Sequence, residues 1–287
     1  MAMVGCRGAR WGVRVSVAVL ASVAFAGCGL SHATPQTIYL TQNPGSPTPA
    51  PSTHASATPA ASDYKAGSTP VIDGVFVSRT APDGSWAASI NAPVIGGIPA
   101  ASAASLNDAI VTQVDGFIDA FANSGLPAVA AGGKPSTLQG DYSVALDSPT
   151  IVSVRFILTS TVSGAASAVT EPASINLTVA TGSAIALSDI FTNPASALST
   201  LASQAHTALS ASLGSNLKWN GQADSMSFFD KAWAITPARA GKPAGLEFTW
   251  PQGAIASPSA GPPSVILAWS ALKSIVKANG PAGEFVR

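Results

Sequence analysis

The stretch Ala173–Ala180, ASINLTVA, sets Ile175, Leu177 and Val179 against Asn176, Thr178 and Ala180. Successive side chains of a strand point to opposite faces, so this period of two gathers the aliphatic groups on one side. A sheet with one packed face and one wet face is the habit of antiparallel strands; parallel sheets are covered on both sides. Working outward, strand-like runs recur at Val71–Ser78, Trp86–Ala92, Asp141–Leu146, Ile151–Val162, Ala232–Thr236, Leu246–Trp250 and Val265–Trp269.

Two segments interrupt the strands with a helical period. In SLNDAIVTQVDGFIDAF, Leu106, Ile110, Val114, Phe117 and Phe121 fall on one stripe, with Ser105 expected as N-cap and Asp108 in the first turn. In NPASALSTLASQAHTALSASL, Asn193 is expected to cap, Pro194 suits the first helical position, and Leu198, Leu201, Ala205 and Leu209 share a face. The expected fold class is α+β: a mainly antiparallel sheet with two principal helices packed on one face. Trp233, Trp250 and Trp269, each in a late strand, are expected in the core.

The chain of 287 residues is 47% hydrophobic and 10% charged, a composition that excludes wholesale disorder. Arg7, Arg10 and Arg14 precede Val15–Ala26, VSVAVLASVAFA, an uncharged run that ends in small residues. Basic, then apolar, then small is the order of a secretory signal, and a run of twelve is short for a membrane span, which takes roughly 20 residues. Phe25-Ala26-Gly27-Cys28 resembles the bacterial lipobox, in which a cysteine after small residues is lipidated and becomes the new N-terminus; Phe25 stands where an aliphatic residue is usual. An ordinary cleaved signal is the competing reading. Cys6 would leave with the signal, so Cys28 would be the mature chain's one thiol, with no internal disulfide open to it. Acylation by two or three chains suffices for stable anchoring, where one chain alone gives marginal attachment.

Residues 1–27 are thus expected as a lipoprotein signal peptide and 28–69 as a Pro-, Ser-, Thr- and Ala-rich tether, leaving 70–287 as one α+β domain. The tether would reach on the order of 120 Å fully extended, and roughly 35 Å as a flexible coil. The apolar triplet Ile38–Leu40 and the histidines His32 and His54 are read as parts of it. The expected location is the outer face of the bacterial cytoplasmic membrane, with the lipid on Cys28 as the link. Without residues 1–27, fourteen Lys and Arg fall to eleven against fourteen Asp and Glu, and no basic stripe remains. Nucleic acid is therefore not expected as a partner.

Catalytic motifs are scarce. The domain holds one histidine, His206, and no cysteine, which leaves a Ser or Cys nucleophile short of a base. His206 reads as a boundary residue of the second helix. One His without Cys also argues against a metal centre, and Asp108, Asp115 and Asp119 read as the solvated side of the first helix. Ser-x-x-Lys occurs four times, with neither the Lys-Thr-Gly nor the Ser-Asp-Asn companion of penicillin-recognising enzymes. No cofactor, metal or catalytic residue is assigned. Trp219, in the polar turn NLKWNGQ, is the candidate aromatic contact for a protein or glycan.

From Ile90 onward the order of segments resembles the RsiV-like domain, the family of the lysozyme-sensing anti-sigma factor, and is similar to secreted immunogenic proteins of mycobacteria. The stretches that carry the likeness are INAPVI at Ile90–Ile95, TIVSVRF at Thr150–Phe156, TGSAIALSDIF at Thr181–Phe191 and the closing segment Gly245–Lys273. Where the family often has Gly-Gly-Ala-His, this chain has Ser163-Gly164-Ala165-Ala166, so no role of that histidine carries over. Nor is an anti-sigma role expected with fourteen residues ahead of the apolar run. The resemblance implies a non-catalytic extracytoplasmic binding module for a protein, lysozyme-like or other, or for a cell-wall component. Ser163, Gly164 and Trp219 are its candidate binding surface. The alternative is a wall-acting hydrolase using Asp141, Asp147 or Glu171.

Overall fold

The structure is a computed structural model that describes residues 38–40, 68–219, 225–239 and 241–286. Cys28, His32, His54 and the apolar run before them lie outside the described residues. Among the described residues, nine strands form two sheets. The first holds β1 (Ile38–Leu40), β2 (Val71–Thr80), β3 (Trp86–Gly96), β4 (Ser136–Asp147), β5 (Ile151–Thr161) and β6 (Val169–Thr178) in chain order. The second holds β7 (Trp233–Thr236), β8 (Gly245–Thr249) and β9 (Ser264–Ala268). Every pairing is antiparallel except β3 with β4. Ile38–Leu40, read from the sequence as tether, pairs with β2 at Phe76–Ser78.

The parallel pair needs a crossover, and α1 (Ala100–Ala122) supplies it. Its buried stripe is Leu106, Ile110, Val114, Ile118 and Phe121, seated on Val77, Ile90, Val154, Phe156 and Leu177 of the first sheet. Each such side chain contributes about 1.5–3 kcal/mol by leaving water. Ile118 takes the place expected for Phe117, which sits at the rim, edge-on to Phe156 at 5.5 Å. The helix begins at Ala100, after Pro99, and not at Ser105. The alanines of AASAAS extend it by propensity, and Ser105 donates its hydroxyl back to the Ala101 carbonyl at 3.1 Å, so Asp108 lies beyond the first turn. Asn107 pins α1 to the sheet, accepting from Ile95 N at 2.7 Å and donating to Ile95 O at 3.0 Å. Asp108 and Asp119 are exposed, as expected of a solvated face, while Asp115 is half-buried; Asp115 and Asp119 hold Arg79 of β2 at 2.6 and 2.9 Å.

The α+β reading holds, with the two long helices where the periodicity placed them. The division into two sheets is the unanticipated feature: α1 covers the first, while α2 (Pro194–Leu213) lies against β9 of the second. Asn193 caps α2 as expected, its Oδ1 accepting from Ala195 N at 3.1 Å and Ser196 N at 3.2 Å. Ala197, Leu201, Ala205 and Leu209 are buried in a second core with Trp233, Leu246, Phe248, Trp250, Leu267 and Trp269. The three tryptophans are buried as expected.

The two sheets meet edge to face. β7 is the edge strand of the second sheet, and the backbone groups it turns away from β8 bond side chains standing on β5 and β6. Trp233 N donates to Ser174 Oγ at 3.0 Å, Ile235 N donates to Ser153 Oγ at 3.1 Å, and Asn176 Nδ2 donates to Trp233 O at 2.9 Å. Ser153 Oγ closes the set by donating to Asn176 Oδ1 at 2.5 Å. Ser153 and Asn176 are fully or almost fully buried, so these bonds replace the water that an open strand edge would need. The polar face of ASINLTVA is therefore covered at Asn176.

Replacing Asn176 by Ala strands the Trp233 carbonyl and is expected to lower the unfolding free energy by about 2–3 kcal/mol. Urea titration of the purified chain measures it, and a loss below about 0.5 kcal/mol contradicts this role of the bridge.

Candidate functional site

Because β7 stands on the first sheet along β5 and β6, the second sheet rises from it as a wall. One side of that wall carries Leu246 and Phe248 into the second core; the alternate residues, Glu247 and Thr249 on β8 with Ser264 and Ile266 on β9, face the other way. The floor is the outward face of the first sheet, where Ser143 lies opposite Arg155 and Asp141 opposite Ile157. Wall and floor are joined by an ion pair between Arg155 Nη1 and Glu247 Oε1 at 2.5 Å. Glu247 is 7% exposed, whereas 29% of the Arg155 side chain remains open. An ion pair this buried adds little net stability, yet removing one partner leaves an uncompensated charge. Its effect here is to hold the angle between the sheets.

The ion pair divides this angle in two. On one side is a cleft of about 440 Å³, with Ile157, Pro172 and Ala232 among apolar lining residues and Ser143, Thr170, Thr249 and Ser264 supplying hydroxyls. On the other is a hollow of about 70 Å³ bounded by Arg155, Thr236, Arg239, Lys242, Glu247 and Ile266. Arg239 comes from the turn after β7 and reaches β4 where the register slips between Val144 and Leu146. There its Nη2 donates to Val144 O at 3.3 Å and Ala145 O at 2.8 Å, satisfying carbonyls that the bulge frees. A third concavity, a groove of about 590 Å³, runs over β2–β5 past Phe76, Asn91, Gln139 and Asp141 and shares Ile157 with the cleft. Ile157 is 44% exposed where the two meet.

Apart from Asp141, which stands on the floor opposite Ile157, the residues singled out from the sequence lie away from this angle. Trp219 is half-buried against the second core, edge-on to Trp250 at 6.2 Å and to exposed His206 at 5.4 Å. Ser163 and Gly164 form the turn between β5 and β6, where Ser163 N donates to Ser136 Oγ at 2.9 Å and Gly164 takes a φ of 77°. None of the concavities described above holds them together with Trp219. Of the three carboxylates, Asp141 lines the groove and accepts from Asn91 Nδ2 at 2.9 Å, while Asp147 and Glu171 line neither groove nor cleft. Among the described residues no three His, Cys, Asp or Glu side chains gather as metal ligands. Arg155 and Glu247 escaped the sequence reading, although each is a lone charge inside a strand run, in IVSVRFILTS and GLEFTW, and that is the signal that finds them.

Beside the groove, β3 and β4 part after Ile90 and Gly140. Tyr142 closes the gap by donating its phenol to Asp73 O at 2.9 Å. Burial first, then the charges of Asp73 and Asp141, raise the phenol above its ordinary value of 10.0.

No protein-family model matches the chain, and a search of curated proteins also returns no match. Among solved structures, it is similar to a DUF3298 family member from Bacteroides fragilis at 14% identity, with a TM-score of 0.47 over 78% of this chain and 99% of that one. A DUF3298 family protein from Pseudomonas aeruginosa aligns at 15% identity, with a TM-score of 0.49 over 73% of this chain and 95% of that one. These structural neighbours belong to a domain family of unknown function.

Since folding favours the neutral phenol of Tyr142, its contribution to stability is full below pH 10.0 and is lost as the pH rises through the higher folded value. Thermal unfolding from pH 8 to 11 is expected to show an alkaline decline that is smaller in Tyr142→Phe; equal declines contradict it.

Proposed function

We propose that the protein is a lipid-anchored extracytoplasmic binding module of the bacterial cell envelope, with an RsiV-like globular domain that holds its ligand without turning it over. The observation that supports binding is the angle between the two sheets: a concavity of about 440 Å³ set between strand residues and braced by Arg155 and Glu247. A hollow of this size is in the range of small-ligand sites, and strands place its groups with little ordering left to do on binding. The ligand is a protein, lysozyme-like or other, or a cell-wall component that presents a protruding end to the cleft.

The anchor rests on Phe25-Ala26-Gly27-Cys28 and on the tether that follows it. The hydrolase reading has less support, because Asp141, Asp147 and Glu171 share no cleft among the concavities described above. A glycosidase needs two carboxyl groups facing one bond.

Mass spectrometry of the protein from bacterial membranes is expected to show Cys28 as the first residue, carrying two or three acyl chains, and Cys28→Ala is expected to leave the membrane fraction. A free Cys28, or a cut elsewhere, contradicts the anchor. Incubation with cell-wall fragments is expected to give bound protein and no new products; turnover abolished by a single carboxylate substitution contradicts binding without catalysis.

A further inference from the structure

The unused bonding capacity of the angle between the sheets indicates what it takes. Ser143, Thr170, Thr249 and Ser264 present four hydroxyls to the larger cleft, and none makes a side-chain hydrogen bond within the described residues. They are spread among Ile157, Pro172, Ala173, Ala232 and Pro262. A purely aliphatic ligand would press methylenes against those hydroxyls and dehydrate them without replacement. A sugar would set its hydroxyls against the apolar remainder. A short peptide, with an amide every few ångströms and small side chains between, suits both.

The smaller hollow fixes the polarity of the ligand. Arg155, Arg239 and Lys242 surround it with Glu247 as the one carboxylate, so three of the eleven cations beyond residue 27 lie at one point of a chain whose balance there is negative. Their donors are only partly used. Arg155 commits Nη1 to Glu247, its Nε is buried without a hydrogen-bond partner, and part of the side chain is open. Arg239 commits Nη2 to two carbonyls of the β4 bulge. The Lys242 ammonium has no partner among the described residues. About 70 Å³ is room enough for a carboxylate.

We infer that the angle between the two sheets is a binding site for the free C-terminal end of a peptide with small apolar residues. The terminal carboxylate sits on Lys242 and the open edge of Arg155, and the last residues pass over the ion pair into the hydroxyl-lined cleft. Such charge-assisted bonds are the stronger class, and a carboxylate matches the planar guanidinium. This rests on the binding reading above and names the ligand class of that same site. It is independent of how the chain is anchored.

The experiment is calorimetric titration of the full chain in detergent with N-acetyl-trialanine, with the same peptide as its C-terminal amide, and with inorganic phosphate. The acid is expected to bind at least about tenfold tighter than the amide, and phosphate more weakly than the acid. Lys242→Gln, an exposed change with circular dichroism as the check of folding, is expected to weaken the acid about three- to tenfold and leave the amide unchanged. Equal affinities for acid and amide, no binding of either, binding of phosphate alone, or indifference to Lys242→Gln would overturn the inference. Any of these leaves the binding-module reading standing if the protein still sediments with cell-wall fragments or a protein ligand; loss of that sedimentation is the failure of the broader reading.

Discussion

The free edge of β7 is the constraint on which the rest of the structure depends. A strand edge turned toward a protein interior leaves amides and carbonyls that must be bonded, and here no neighbouring strand does it. Ser153, Ser174 and Asn176 stand up from the first sheet and take that part, binding Trp233 and Ile235. Because these partners are side chains on a sheet face, the second sheet is held upright upon the first. That geometry separates a packed side, where α2 and the aromatic residues around Trp250 form the second core, from an open side. The cleft is the open side of the same joint.

The proposed function follows from this division of faces. On the packed side, Leu246 and Phe248 of β8 are wholly buried; two residues along the strand alternate and turn Glu247 and Thr249 to the cleft. One five-residue strand thus serves core and site together, with Arg155 and Glu247 bracing the angle between wall and floor. On the proposed reading, a ligand meets a concavity already formed, so little of its binding energy is needed to order the protein. On the proposed reading, the lipid on Cys28 and the tether bring this concavity to what lies outside the membrane.

Much of the fold was legible because its periodicities are strong. ASINLTVA and its companions mark their strands within a few residues, and Leu106, Ile110 and Val114 mark the buried stripe of α1. The start of α1 was hidden, since AASAAS carries no capping signature and Ser105 offers a false one. Asn176 shows the deeper limit. Alternation identifies a polar face, and water is its usual partner, but an amide reads the same in sequence whether it faces solvent or the edge of a strand 57 residues further on. The site was less legible still. Trp219, an aromatic in a polar turn, is half-buried against the second core; Arg155 and Glu247 acquire meaning only when the fold brings two lone strand charges together across 92 positions of sequence.

Residue-resolved hydrogen exchange of the native protein tests the joint most directly. If the side chains of β5 and β6 hold the edge of β7 as one cooperative unit with the first sheet, the amides of Trp233 and Ile235 exchange only through global unfolding, at the protection of Val154 in the centre of β5. Exchange on the order of a hundredfold faster at both amides, with Val154 still protected, would mean that the second sheet lifts away by itself, and the cleft would then not be a fixed feature of the molecule.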